Sequence, residues 1–285
     1  FAHASVLLVV IAFLVAQAVV KSGLGRRISL FMVSRFGGSS LGLAYSIVLT
    51  DAAIAPAFPS NTARGGVLFP IVLSVSRGAG SNPEDPEGRR LGGYLMFCAM
   101  ASLAVSSALW MTATSANPIA VQIAQKFGLE IGFGSWLLAS CVPALVALGM
   151  IPVLVAKLFP PRIGATPEAP AAARKELAGM GMMSRDERIT AVTFAVMVAG
   201  WVFADMLQLN VTSVAFMGFG VLLVAGVLTL DDIAEQGETL AIFLWLAVLF
   251  ALSGQLNELG FMGYVGERLA SRLGGLSWPA TYVTL

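Results

Sequence analysis

T-D-A-A-I-A-P-A-F-P-S-N-T-A-R-G-G-V-L-F-P, from Thr50 to Pro70, sets a polar cluster between two apolar runs, 41–58 and 67–75. Each run is near or below the roughly 20 residues that a helix needs to cross a hydrocarbon core. The polar centre, Pro59-Ser60-Asn61-Thr62-Ala63-Arg64-Gly65-Gly66, would then lie at membrane depth. Irregular backbone is tolerated there only when it is buried in protein or lines a cavity. The segment reads as a re-entrant helical hairpin with a polar tip.

The surrounding composition agrees. The chain is 57% apolar and only 12% charged, with a net charge of +1 and a mean hydropathy of +0.84. Globular soluble domains carry about one quarter charged residues, so the class is an all-α polytopic membrane protein. No basic stripe exists to neutralise phosphates, which argues against a nucleic-acid partner. Cys98 and Cys141 lie in apolar runs and read as packing residues. His3 is the sole histidine and reads as incidental. Phe1 stands inside an apolar run without a basic flank, so no signal peptide is expected. Residues 277–285 enter another apolar run, and the expectation is a piece of a longer protein.

Residues 1–40 read as a scaffold helix followed by a basic interfacial segment carrying Lys21, Arg26, Arg27 and Arg35, with Gly23 and Gly25 as breaks. The positive-inside tendency makes that face cytoplasmic. The hairpin occupies 41–76, and Asn82-Pro83 marks a turn after it. Within 77–159, Thr112-Ala-Thr-Ser-Ala-Asn-Pro118 interrupts an apolar helix, which suggests a span unwound in mid-bilayer. Phe133 to Leu158 follows as a span with Pro143 and Pro152 as kinks. Residues 160–188 form a cytoplasmic linker with a short surface helix over 171–180. Residues 189–285 supply scaffold spans (189–205, 211–230 and 240–256) and the start of a second repeat. In that repeat, Phe13 and Gly23 align with Phe250 and Gly260 without a gap. Opposed copies of this kind mark an inverted-topology transporter. The second hairpin is then expected after about residue 280, which would leave this chain with half of a binding site.

A hairpin tip presents the N-terminus of its second arm, with free N–H groups and about half a positive charge. The helix resuming near Pro118 offers a second such end. Ser60, Asn61 and Thr62, with Thr114, Ser115 and Asn117, can donate to a carboxylate, and Gly65 and Gly66 allow close approach. Two helix ends supply roughly one charge, less than a dicarboxylate needs, so sodium or Arg64 should add the rest. Arg64 reads as unpaired, and an arginine near mid-membrane costs on the order of 3 kcal/mol, so it is a functional candidate. The plainer readings are that Ser60 is an N-cap and that 112–117 is small-residue helix packing. The five tryptophans read as lipid-facing or interfacial anchors. No Ser-His-Asp set, metal motif or P-loop supports catalysis, so the protein reads as no enzyme.

At these residues the chain resembles the divalent anion:sodium symporter family of di- and tricarboxylate carriers. P-S-N-T-A-R-G-G at Pro59–Gly66 carries the likeness, with T-D-A-A-I-A-P at Thr50–Pro56 ahead of it. S-A-N-P at 115–118, the P-P and T-P-E-A-P pieces within 160–170, and L-N-E-L-G-F at 256–261 support it. The likeness is closest to the exchanger branch of 2-oxoglutarate/malate translocators and citrate:succinate antiporters. It implies a homodimer in the inner membrane that works by an elevator motion, with re-entrant hairpins and broken helices. It also implies that Ser60, Asn61 and Thr62 contact a substrate carboxylate, with Na+ at Ser60 and Asn61 only in a symporter and no other cofactor. Arg64 stands where sodium-coupled relatives tend to have an uncharged residue, and its charge would replace the ion and favour obligatory exchange. Sodium-coupled dicarboxylate symport is the alternative, and a carboxylate receptor or scaffold that moves nothing is a more distant one.

Overall fold

The computed structural model describes residues 4–81, 84, 89–235, 237–273, 275, 277 and 280. The expectations for Phe1, His3, the Asn82-Pro83 turn, Trp278 and the closing apolar run fall outside them. Every element among the described residues is helical.

Helix α1 (Ala4–Lys21) bends by 62° into α2 (Leu24–Phe36). The corner is Gly23 at φ 81°, a left-handed conformation that a side chain would strain. Two arms follow, α3 (Ser40–Ile54) and α4 (Asn61–Gly78), joined by a 3-10 turn at Ala55–Ala57. Helix α5 (Arg89–Leu109) gives way to a second 3-10 turn, Met111–Ala113, and resumes as α6 (Ala116–Lys126). Next come α7 (Phe133–Leu158) and α8 (Glu168–Gly179). The remaining helices are α9 (Arg185–Val202), α10 (Ala204–Leu207), α11 (Val211–Val224), α12 (Leu230–Ala234), α13 (Gly237–Glu258) and α14 (Phe261–Leu273). Between α13 and α14 a 68° bend turns on Gly260, at φ 78°, as the first corner turns on Gly23.

Segments 40–57, 90–109 and 133–158 are long and apolar enough to cross a membrane, and the two bent pairs raise the number to five. Helix α11 is shorter than the sequence suggests, and α9 begins and ends a few residues earlier than expected. After α11, Gly226 takes φ 74° and the N–H groups of Val227 and Leu228 both turn back to Leu222 O. That pattern is a helix C-cap, and it stops α11 before Leu230.

Helix α5 packs along both hairpin arms and along α7. Leu43 and Ile47 of α3, Val72 of α4, Leu91 and Leu95 of α5 and Leu148 of α7 share one core. On α7 the buried positions Ala144, Leu148, Ile151 and Pro152 follow the helical period. Its other faces expose Leu138, Val142, Leu145 and Val146, as suits a lipid-facing helix. Helix α1 is apolar on all sides and buried between α9, α11 and α13 and the hairpin tip, where Ala16 and Val19 meet Ile54, Ala57 and Phe58.

The linker is tied down. Ser40 N donates to Gly164 O at 3.1 Å, Thr166 N to Gly38 O at 3.1 Å, and the Thr166 hydroxyl to Gly37 O at 2.7 Å. The Ser40 hydroxyl donates to Ile163 O. Helix α8 then lays Ala169, Pro170 and Ala173 against α2. Arg27 of α2 forks onto Glu187 of α9 at 2.8 and 3.0 Å, and Arg26 reaches Glu176 of α8 at 3.0 Å.

Three tryptophans depart from the anchor reading. Trp201 is 1% exposed and stacks beside Phe133. Trp110 and Trp136 are half-buried and donate to Ala52 O and Ala108 O, so they fasten helices to each other. Trp245 is 69% exposed and fits the expectation.

Candidate functional site

The hairpin tip and the broken helix meet. Ser115 N donates to Pro59 O at 3.2 Å, and the Thr112 hydroxyl donates to Pro56 O at 2.9 Å. The two helix starts, Asn61 and Ala116, therefore lie at one place, the second beginning two residues ahead of the Pro118 from which the sequence has the helix resume. Ser60 caps α4: its hydroxyl accepts from Ala63 N at 3.3 Å, and its carbonyl accepts the first intrahelical bond, from Arg64 N. The N–H groups of Asn61 and Thr62 precede that bond and have no acceptor within the helix. Asn61 and Thr62 are exposed, while Ser60, Thr114, Ser115 and Asn117 are half-buried. Asn117 donates through Nδ2 to Ser107 O at 2.7 Å and Trp110 O at 3.1 Å, closing the frayed end of α5. Pro59 is buried behind the tip. A Cβ at Gly66 would meet nothing within 4 Å, and one at Gly65 would only touch Leu103 at 3.7 Å. Both glycines border a hollow of about 460 Å³ between α4 and α5, with Thr62 at its edge.

Behind the tip lies a buried polar network. Arg64 and Asp51 are both 0% exposed, Arg64 in the first turn of α4 and Asp51 in the last turn of α3. The Ser102 and Ser106 hydroxyls of α5 each donate to Asp51 Oδ2 at 2.6 Å. Arg64 Nη1 donates to Ser106 Oγ at 3.0 Å. Its Nη2 reaches Asn61 Oδ1 at 2.6 Å, Ser107 Oγ at 2.7 Å and Leu103 O at 3.0 Å. The Ser107 hydroxyl also bonds Asn61 Oδ1. Arg64 is thus not unpaired: Asp51 Oδ1 lies 3.7 Å from its Nη1. The pair is loose, since neither Asp51 Oδ1 nor Arg64 Nε makes a hydrogen bond.

Sequence reading gathered the tip and the break but missed Ser102, Ser106 and Ser107. Their signal is the spacing of 102 and 106, one helical turn apart, with 107 beside them in an apolar helix. Among the described residues, no group of three His, Cys, Asp or Glu side chains could hold a metal ion. The alternative sodium positions, Ser60 and Asn61, would offer oxygens that Ala63 N, Arg64 and Ser107 already engage.

The model of the sodium:sulfate symporter transmembrane region matches residues 1–285. The chain belongs to this family of membrane transporters. It is 38% identical over 282 residues to chloroplastic dicarboxylate transporter 1 of Spinacia oleracea, covering 98% of this chain and 50% of that protein. To chloroplastic dicarboxylate transporter 2.1 of Arabidopsis thaliana it is 39% identical over 280 residues, 96% of this chain and 50% of the relative. A Bacillus subtilis protein provisionally named malate transporter YflS is 36% identical over 285 residues, 99% of this chain and 60% of the relative. The chain therefore spans about half to three fifths of the length of these relatives.

Proposed function

We propose that the protein exchanges di- and tricarboxylates, such as 2-oxoglutarate, malate, succinate or citrate, across an inner membrane. The observation that carries this reading is the contact of the two tips, Ser115 N to Pro59 O, which gathers two helix starts at one point. Helix N-termini favour anions, and the exposed Asn61 and Thr62 stand beside them. Ser60, Asn61, Thr62, Thr114 and Ser115 contact a substrate carboxylate, Asn117 holds the break in shape, and Gly65 and Gly66 admit the ligand to the backbone. Arg64 supplies a fixed cation in place of Na+. Its Nη2 sits against Asn61 at the tip while Asp51 lies behind it, so the guanidinium is the nearer charge to the open side. The 62° and 68° corners at Gly23 and Gly260 support an inverted repeat, and with it an elevator motion and a homodimer.

The test uses the full-length protein in liposomes, with labelled succinate or 2-oxoglutarate outside. Exchange requires uptake that depends on unlabelled dicarboxylate inside and ignores external sodium, and Arg64→Ala should abolish it. Sodium-dependent uptake into empty liposomes would select the symporter instead. Binding without uptake would select a receptor.

A further inference from the structure

The Asp51 carboxylate is held by the wrong partner for a tight ion pair. Ser102 and Ser106 grip Oδ2 at 2.6 Å each, and Oδ1 is left 3.7 Å from Arg64 without a hydrogen bond. A paired arginine and carboxylate ordinarily close to 2.7–2.9 Å through two parallel bonds. Arg64 meanwhile turns its Nη2 to Asn61, Ser107 and Leu103 O, on the tip side. The serines hold the anion back and the tip draws the cation forward. The result is a buried dipole with its positive end toward the exposed Asn61.

We propose that Asp51 is a specificity-determining residue that sets the valence of the anion accepted at the tip, by subtracting part of the Arg64 charge. This rests on the carboxylate-exchange reading above. Asp51 acts through Arg64 and touches no substrate. At an effective dielectric of about 20, a unit charge about 10 Å from a ligand changes affinity roughly tenfold per unit of ligand charge. Removing the Asp51 charge should therefore favour a trianion over a dianion by several-fold to tenfold. Removing the Arg64 charge should shift the ratio the other way.

The experiment measures equilibrium binding of labelled citrate and succinate to the purified full-length protein, as wild type, Asp51→Asn, Arg64→Gln and the double variant. The citrate-to-succinate affinity ratio should rise in Asp51→Asn, fall in Arg64→Gln, and return toward the wild-type value in the double variant. A lesion that only loosened the fold would weaken both ligands alike and leave the ratio unmoved. An unchanged ratio in both single variants, or a shift of the same sign in both, overturns the proposal. Should Asp51→Asn fail to fold, Ser102→Ala replaces it: with one grip gone, the carboxylate closes on Arg64, and the ratio should fall. An unmoved ratio there overturns the proposal as well. Wild-type protein that binds neither ligand would sink the carboxylate reading, which separates that failure from this one.

Discussion

Arg64 is fully buried and is held by Asn61 on its own helix, Asp51 on α3 and the serines of α5. Its charge inside an apolar segment marks it at once, but its surroundings belong to two other helices. Asp51 lies 13 positions before it, and the serines that engage its side chain lie 42 and 43 positions after it. No periodicity within α4 reports such partners, because helical period records which face is apolar and not what stands opposite. The glycines are more legible. Gly66 faces open space, so Gly66→Ala should leave the thermal midpoint unchanged or raise stability by up to about 1 kcal/mol, as alanine does in a helix interior. If the hollow beside it admits substrate, the same variant should weaken carboxylate binding. Measured together, melting and binding separate the two effects. Loss of stability without loss of binding would mean that Gly66 serves packing alone.

Among elements, the clearest joint is the one between α2 and α9. Hydrogen bonds from Arg27 hold the Glu187 carboxyl below its usual range, with help from the Ser184 N–H and against the opposing effect of burial. This residue sits in the first turn of α9, ahead of the apolar run that starts at Ile189. A folded-state value below the unfolded one, about 4.3, stabilises the fold fully above that pH. The contribution then disappears as pH falls through the folded value. Melting midpoints followed from pH 7 down to pH 3 should therefore drop more steeply for wild type than for Glu187→Gln. Equal acid limbs would show that the fork contributes nothing to folding. Arg26→Ala, which breaks a pair with side chains 63% and 43% exposed, should change stability by no more than about 0.5 kcal/mol. Apolar runs interrupted by polar residues, proline and glycine located the two arms at 41–76, the break after α5 and the corner at Gly23. Hydropathy overran α11, because a C-cap such as the one at Gly226 is written in backbone conformation rather than in apolar content.

At the scale of the whole molecule, class was open to reading from composition, while attachment was not. The proline-rich stretch 160–167 looks like a tether, yet its backbone bonds to the turn that starts α3 at Gly38 and Ser40. Limited proteolysis should cut this stretch slowly despite its composition, and Thr166→Val should speed the cut by deleting the bond to Gly37 O. Equal cleavage rates would deny the attachment. The buried network also has a history in time. Arg64 leaves the ribosome 42 residues ahead of Ser106, an interval of about 2–8 s at typical rates of synthesis. During those seconds the hairpin carries an arginine without its serine partners, and hydrocarbon is no place to wait. Arg64 then has only Asp51 and Asn61 from the hairpin itself, and its network is complete once α5 supplies Ser106 and Ser107.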